Sequence, residues 1–100
     1  MAESAASPHP THFRDDDDAY LGWLAAYPRG HVINCYREPT RSYLVLHRAT
    51  CETVRGRPAR GETWTCGDYS KVCAADMSTL NRWALEKLNA LPTLCPLCRP

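Results

Sequence analysis

The four residues Cys95-Pro96-Leu97-Cys98 constrain this chain more than any others. Two residues between cysteines let both sulfurs face one ion across a tight turn, where backbone N–H groups can stabilise thiolate charge. The pair lies beyond the last apolar-periodic segment, and a tail in that position has few other means of docking on a core. A closed structural zinc site takes about four ligands, so a second pair must come from elsewhere. The spacing His47-x-x-x-Cys51 supplies it, because His47 ends an apolar, strand-like run and Cys51 follows a short bend. The expected site is one Zn²⁺ held by His47, Cys51, Cys95 and Cys98.

Three further cysteines leave alternatives open. Cys35 and Cys73 fall inside strand-like runs and read as buried thiols, while Cys66 stands beside Gly67. A site of Cys66, Cys73, Cys95 and Cys98 is the competing ligand set. A disulfide framework is the other alternative, but Met1 to Ser7 show neither a basic start nor an apolar stretch. That absence of a secretory signal points to a cytoplasmic protein, in which cysteines serve as metal ligands or free thiols more often than as disulfides. A redox role for Cys95 and Cys98 would call for a following helix to lower a thiol pKa; Arg99 and Pro100 follow instead.

A chain of 100 residues is the size of one domain and has a thin stability margin, which a bound ion would widen. No apolar run approaches the roughly 18 residues of a membrane span. Residues 1–14 are dominated by Ser, Pro, His and Thr and read as a disordered tail, leaving residues 15–100 as a single zinc-stapled domain. Asp15 to Asp18 suit the first turn of a helix, and Tyr20, Trp23, Leu24 and Tyr27 recur at helical spacing behind them. Residues 31–36 and 42–47 read as a hairpin around the turn Glu38-Pro39-Thr40-Arg41. Residues 51–54 extend that sheet, and 63–65 and 69–74 make a further strand pair. Leu80, Trp83, Ala84, Leu88 and Leu91 stripe a last helix over 76–91. The expected fold is α+β: a small antiparallel sheet of three to four strands between an N-terminal and a C-terminal helix, closed by the Cys-x-x-Cys zinc knuckle.

Charge is unevenly distributed. Residues 1–18 carry a net −4 and residues 29–60 a net +5, the latter from seven arginines. Arginine's planar fork suits phosphate. With Tyr36, Tyr43 and Trp64 nearby as stacking surfaces, Arg37, Arg41, Arg55, Arg57 and Arg60 form a candidate site for nucleic-acid backbone, DNA or RNA. The last helix carries only Arg82 and Lys87 as bases, which argues against reading base edges in a major groove. The alternative is a zinc module whose partner is a protein.

Gly30-His31-Val32, ten residues, then Tyr43-Leu44-Val45 resembles the two-strand opening of the GIY-YIG nucleases. The resemblance covers some 16 residues and implies a nuclease with an arginine and a metal-binding glutamate on later helices, for which Arg48 and Glu86 are the candidates. It departs at Val32 and Val45, where that family places a tyrosine and a glycine. No other catalytic constellation stands out, and a hairpin of common length accounts for the same residues.

Overall fold

The computed structural model describes residues 9–55 and 63–100. Eight elements follow one another: β1 (Thr11–Phe13), α1 (Asp17–Ala26), β2 (His31–Tyr36), β3 (Leu44–Arg48), α2 (Glu52–Arg55), β4 (Tyr69–Ala74), α3 (Met77–Leu88) and β5 (Thr93–Leu94). The strands form one sheet in the order β1-β4-β2-β3-β5. This is the expected α+β class, with a sheet larger than expected and mixed rather than purely antiparallel. The departure lies in β5, which pairs in parallel with β3, Val45 opposite Thr93 and Leu46 opposite Leu94. A strand returning beside β3 after β4 and a helix meets it in the parallel sense, as crossover connections do.

The alternation of side chains along the strands divides the core in two. Ile33, Cys35, Leu44, Leu46, Val72 and Ala74 face one way, where α3 covers them with Leu80 and Ala84. Val32 and Cys73 face the other way and join Tyr20 and Leu24 of α1, Val54 of α2, Trp64, Cys51 and Cys95. The stripe expected on α1 is therefore real at Tyr20 and Leu24, whereas Tyr27 stacks on Trp23 near the surface with ring centroids 4.9 Å apart. Leu91, expected in the stripe of the last helix, lies beyond α3 and is exposed.

Three local expectations are corrected. Residues 11–13, assigned to a disordered tail, form β1 and pair antiparallel with β4 from Thr11–Cys73 to Phe13–Lys71. Their anchorage is side-chain chemistry: His12 Nε2 lies 2.8 Å from Ser70 Oγ, and the Phe13 ring meets Tyr20 edge-on. Residues 52–55 form a helical turn rather than a strand. Residues 63–65 are not a strand either, because Asp17 captures them: its carboxylate accepts from the N–H of Trp64 at 3.1 Å and of Thr65 at 2.7 Å. The aspartate run is thus divided among tasks. Asp16 caps α1 through Ala19 N–H at 3.1 Å, Asp17 holds the 64–65 segment, and Asp15 pairs with Arg37. Among the described residues, no helix is long and apolar enough to cross a membrane.

Candidate metal centre

Register delivers the C-terminal pair to the histidine. Because Leu46 pairs with Leu94, the next residues on the two strands, His47 and Cys95, stand level, and Cys95 N–H donates to Leu46 O at 3.0 Å. Beyond His47 the chain turns sharply. Cys51 N–H donates to Arg48 O at 2.9 Å, and the turn into α2 brings Cys51 back beneath the strand end. On the other side, Cys95 to Cys98 form a turn closed by Arg99 N–H on Cys95 O at 3.0 Å, with Arg99 in the left-handed region at φ 49°. One ligand atom from each of His47, Cys51, Cys95 and Cys98 lies within 4.8 Å of all the others. Cys51 Sγ and Cys95 Sγ are 3.9 Å apart. Around a tetrahedral ion with Zn–S bonds of about 2.3 Å, neighbouring sulfurs stand roughly 3.8 Å apart. Three of the four side chains are buried and Cys98 is partly so.

The protonation states suit a cation. Burial, reinforced by the charge of Lys71, pulls the His47 pKa down to about 4, so the imidazole is neutral at pH 7 and offers a lone pair. At Cys95, burial works against ionisation. The backbone N–H groups of Cys98 and Leu97, with the thiols of Cys98 and Cys51, outweigh it and hold the pKa below the ordinary thiol value. Cys98 is pushed up by burial and by its neighbours Cys51 and Cys95, despite the N–H of Arg48 that points at its sulfur from 3.2 Å. Ionisation is favoured at the first thiol and resisted at the next, a conflict that a bound dication would remove. Thr53 Oγ1 lies 3.1 Å from both Cys51 Sγ and His47 Nδ1, where it supports the sulfur and orients the ring. Arg48 adds a clamp, donating from Nε to Cys98 O at 2.9 Å and from Nη2 to Arg99 O at 3.0 Å. The cluster can hold a metal ion.

The competing ligand set does not assemble. Cys66 is exposed, its Sγ 3.8 Å from Asp17 Oδ1, and Cys73 lies in the core facing α1. Cys35 is likewise buried, as a core thiol should be. All six cysteines are free thiols. Sequence reasoning missed Thr53 and the clamp by Arg48; both depend on turns and register that leave no local pattern.

The candidate nucleic-acid residues are scattered. Arg37 and Arg41 flank the turn between β2 and β3, but Asp15 accepts a bond from Arg37 Nη1 at 2.8 Å. Arg55 ends α2, beyond the opposite end of β3. Arg57 and Arg60 lie outside the described residues. Trp64 is buried against Tyr20 and offers no stacking face. Tyr69 takes its place: Tyr36, Tyr43 and Tyr69 contact one another with ring centroids 5.4 to 5.8 Å apart.

Neither models of known protein families, nor curated protein sequences, nor solved structures match this chain. The resemblance to GIY-YIG nucleases gains no support from them, and its two candidate residues, Arg48 and Glu86, line different clefts.

Proposed function

We propose that His47, Cys51, Cys95 and Cys98 bind one structural Zn²⁺ that staples the C-terminus to the sheet. The observation behind this reading is the convergence of four ligand atoms, from segments some fifty residues apart in the chain, within 4.8 Å. Three thiolates and a neutral imidazole suit zinc better than harder cations. They leave the centre at net −1, which the guanidinium of Arg48 offsets from beside it. The protein purified without added metal or chelator should show, by native mass spectrometry, an excess of one zinc that is lost on unfolding together with the appearance of six free thiols. Cys98→Ala should lower stability by at least about 2 kcal/mol, or roughly 8–16 °C in Tm for a domain of this size. An unchanged melting point would remove Cys98 from the ligand set.

A second reading assigns the domain to nucleic acid, on the strength of the tyrosine cluster. Tyr36, Tyr43 and Tyr69 lie beside the turn bearing Arg37 and Arg41, the combination of aromatic faces and cations that single strands use. Asp15 competes for Arg37, so binding through this surface should be weak and steeply salt-dependent. Retention on single-stranded DNA or RNA at low salt, lost on charge reversal of Arg37 and Arg41, is the expected result. A partner retained without regard to salt would point to protein recognition instead.

A further inference from the structure

A cleft adjoins the metal cluster where two turns meet. One turn, Pro28 to Gly30, leaves α1; the other, Arg48 to Thr50, leaves β3. Ala49 N–H donates to Gly30 O at 2.9 Å and ties them together. Gly30 itself has no room for a side chain: a Cβ there would stand 2.6 Å from Trp23 Cη2 and 3.1 Å from Ala74 O. The cavity measures about 350 Å³ and is lined by Pro28, Arg29, Gly30, His31, Arg48 and Thr50. Its lining thus offers two guanidinium groups, a hydroxyl and an imidazole, with no carboxylate among them. Asp76 and Arg48 both act electrostatically on His31, whose ring is bonded to the backbone of Ala75. His31 Nδ1 is out of contact with water and has no hydrogen-bond partner. A buried polar atom left unpaired is costly.

We propose that this cleft binds a phosphate group, as inorganic phosphate or as the terminal phosphate of a nucleic-acid strand, and that the neighbouring metal centre controls its affinity. The volume is at the small end of ligand pockets, which fits a compact tetrahedral anion rather than a large organic molecule. Arginine forks match phosphate oxygens geometrically, and a threonine hydroxyl adds a neutral donor beside them. The coupling runs through Arg48. Its Nε and Nη2 are pinned to the carbonyls of Cys98 and Arg99, which leaves Nη1 for a ligand. Its own backbone N–H meets Cys98 Sγ, so the residue is ordered by the knuckle and the knuckle by the ion. Loss of the metal frees this arginine and removes one of the two cations from its fixed position. The coupling rests on the zinc reading; the anion site does not.

The test uses the full chain with its metal content measured. Inorganic phosphate, a short oligonucleotide with a 5′-phosphate and the same strand with a 5′-hydroxyl are titrated while the His31 ring and Arg48 Nε–H resonances are followed by NMR. Phosphate and the 5′-phosphorylated strand should shift both resonances, and the 5′-hydroxyl strand should not. A response to phosphate alone would assign the site to the free anion. Arg29→Ala, on an exposed turn away from the metal, should weaken binding at least tenfold without altering metal content. Removal of the ion by chelator should weaken it by a similar factor. Absence of any shift with phosphate and with the phosphorylated strand, or binding unaffected by Arg29→Ala, would overturn the site. Binding that survives chelation unchanged would overturn the coupling. Phosphate binding by a protein that carries no metal would keep the cleft and refute the staple.

Discussion

Tyr20 shows how one side chain can tie a helix to the turn that follows Cys51. It is fully buried, and its hydroxyl donates to Val54 O at 2.6 Å. Val54 belongs to α2, the turn that begins just after Cys51, so the bond fixes the segment that presents Cys51 to the cluster. Burial raises the Tyr20 pKa, which keeps the hydroxyl protonated as a donor at any pH the fold survives. Tyr20→Phe keeps the ring but leaves the Val54 carbonyl unpaired in the core. Such a loss costs about 1–3 kcal/mol. Thermal melting should fall accordingly, and an unchanged melting point would mean that water reaches Val54 O. Gly30 makes a different point at the same scale. Gly30→Ala forces a methyl against backbone carbonyl Ala74 O and the Trp23 ring, so it should destabilise by about 1–3 kcal/mol. Equal stability of the alanine variant would show that the 28–30 turn can shift.

At the scale of elements, β1 is the instructive one. It is three residues long and pairs only with β4, yet it carries the His12–Ser70 bond and the Phe13–Tyr20 ring contact. Deleting residues 1–13 should therefore expose the outer edge of β4 and lower stability by about 2 kcal/mol, read as a drop in Tm. A truncated chain that melts like the full one would return these residues to the status of a tail. Their role was hidden because a period of two cannot show in three residues, and the same holds for the two residues of β5. The longer elements were readable. Leu80, Trp83 and Ala84 mark α3 by helical spacing, and the apolar runs of β2 and β3 announce central strands. Thr53 and Val54 misled, since β-branched residues read as a strand, whereas the return of Cys51 toward His47 and the bond from Tyr20 to Val54 hold them in a helical turn. The grouping of His47, Cys51, Cys95 and Cys98 was legible because thiol spacing carries chemistry by itself. The clamp by Arg48 was not, because it exists only once β5 has settled beside β3.

For the whole molecule, the metal cluster is part of one core and not of the other. Cys51 and Cys95 pack with Tyr20, Leu24, Val32, Val54 and Trp64, while α3 covers the opposite face with a separate apolar set. On the zinc reading, loss of the ion should loosen the first face and spare the second. Protons are one way to remove it. The folded His47 holds its pKa near 4, whereas in an unfolded chain the ring has the ordinary value of 6.5. Between those values the unfolded state binds a proton that the folded state refuses, so stability is full above about pH 6.5 and declines as the pH falls toward 4. Thiolates released from the ion take up protons as well, which steepens the decline. Lys71 acts in the same direction, because its charge disfavours a second cation at His47. On the same reading, the protein should release zinc to a colorimetric indicator as the pH falls from 7 to below about 4. Over the same range, amide exchange should accelerate in α1, α2 and residues 93–98, while α3 and β4 remain protected. Uniform acceleration throughout the chain would mean that the two cores unfold as one unit. Retention of both metal and protection well below pH 4, where the folded ring itself takes a proton, would mean that His47 is not a ligand.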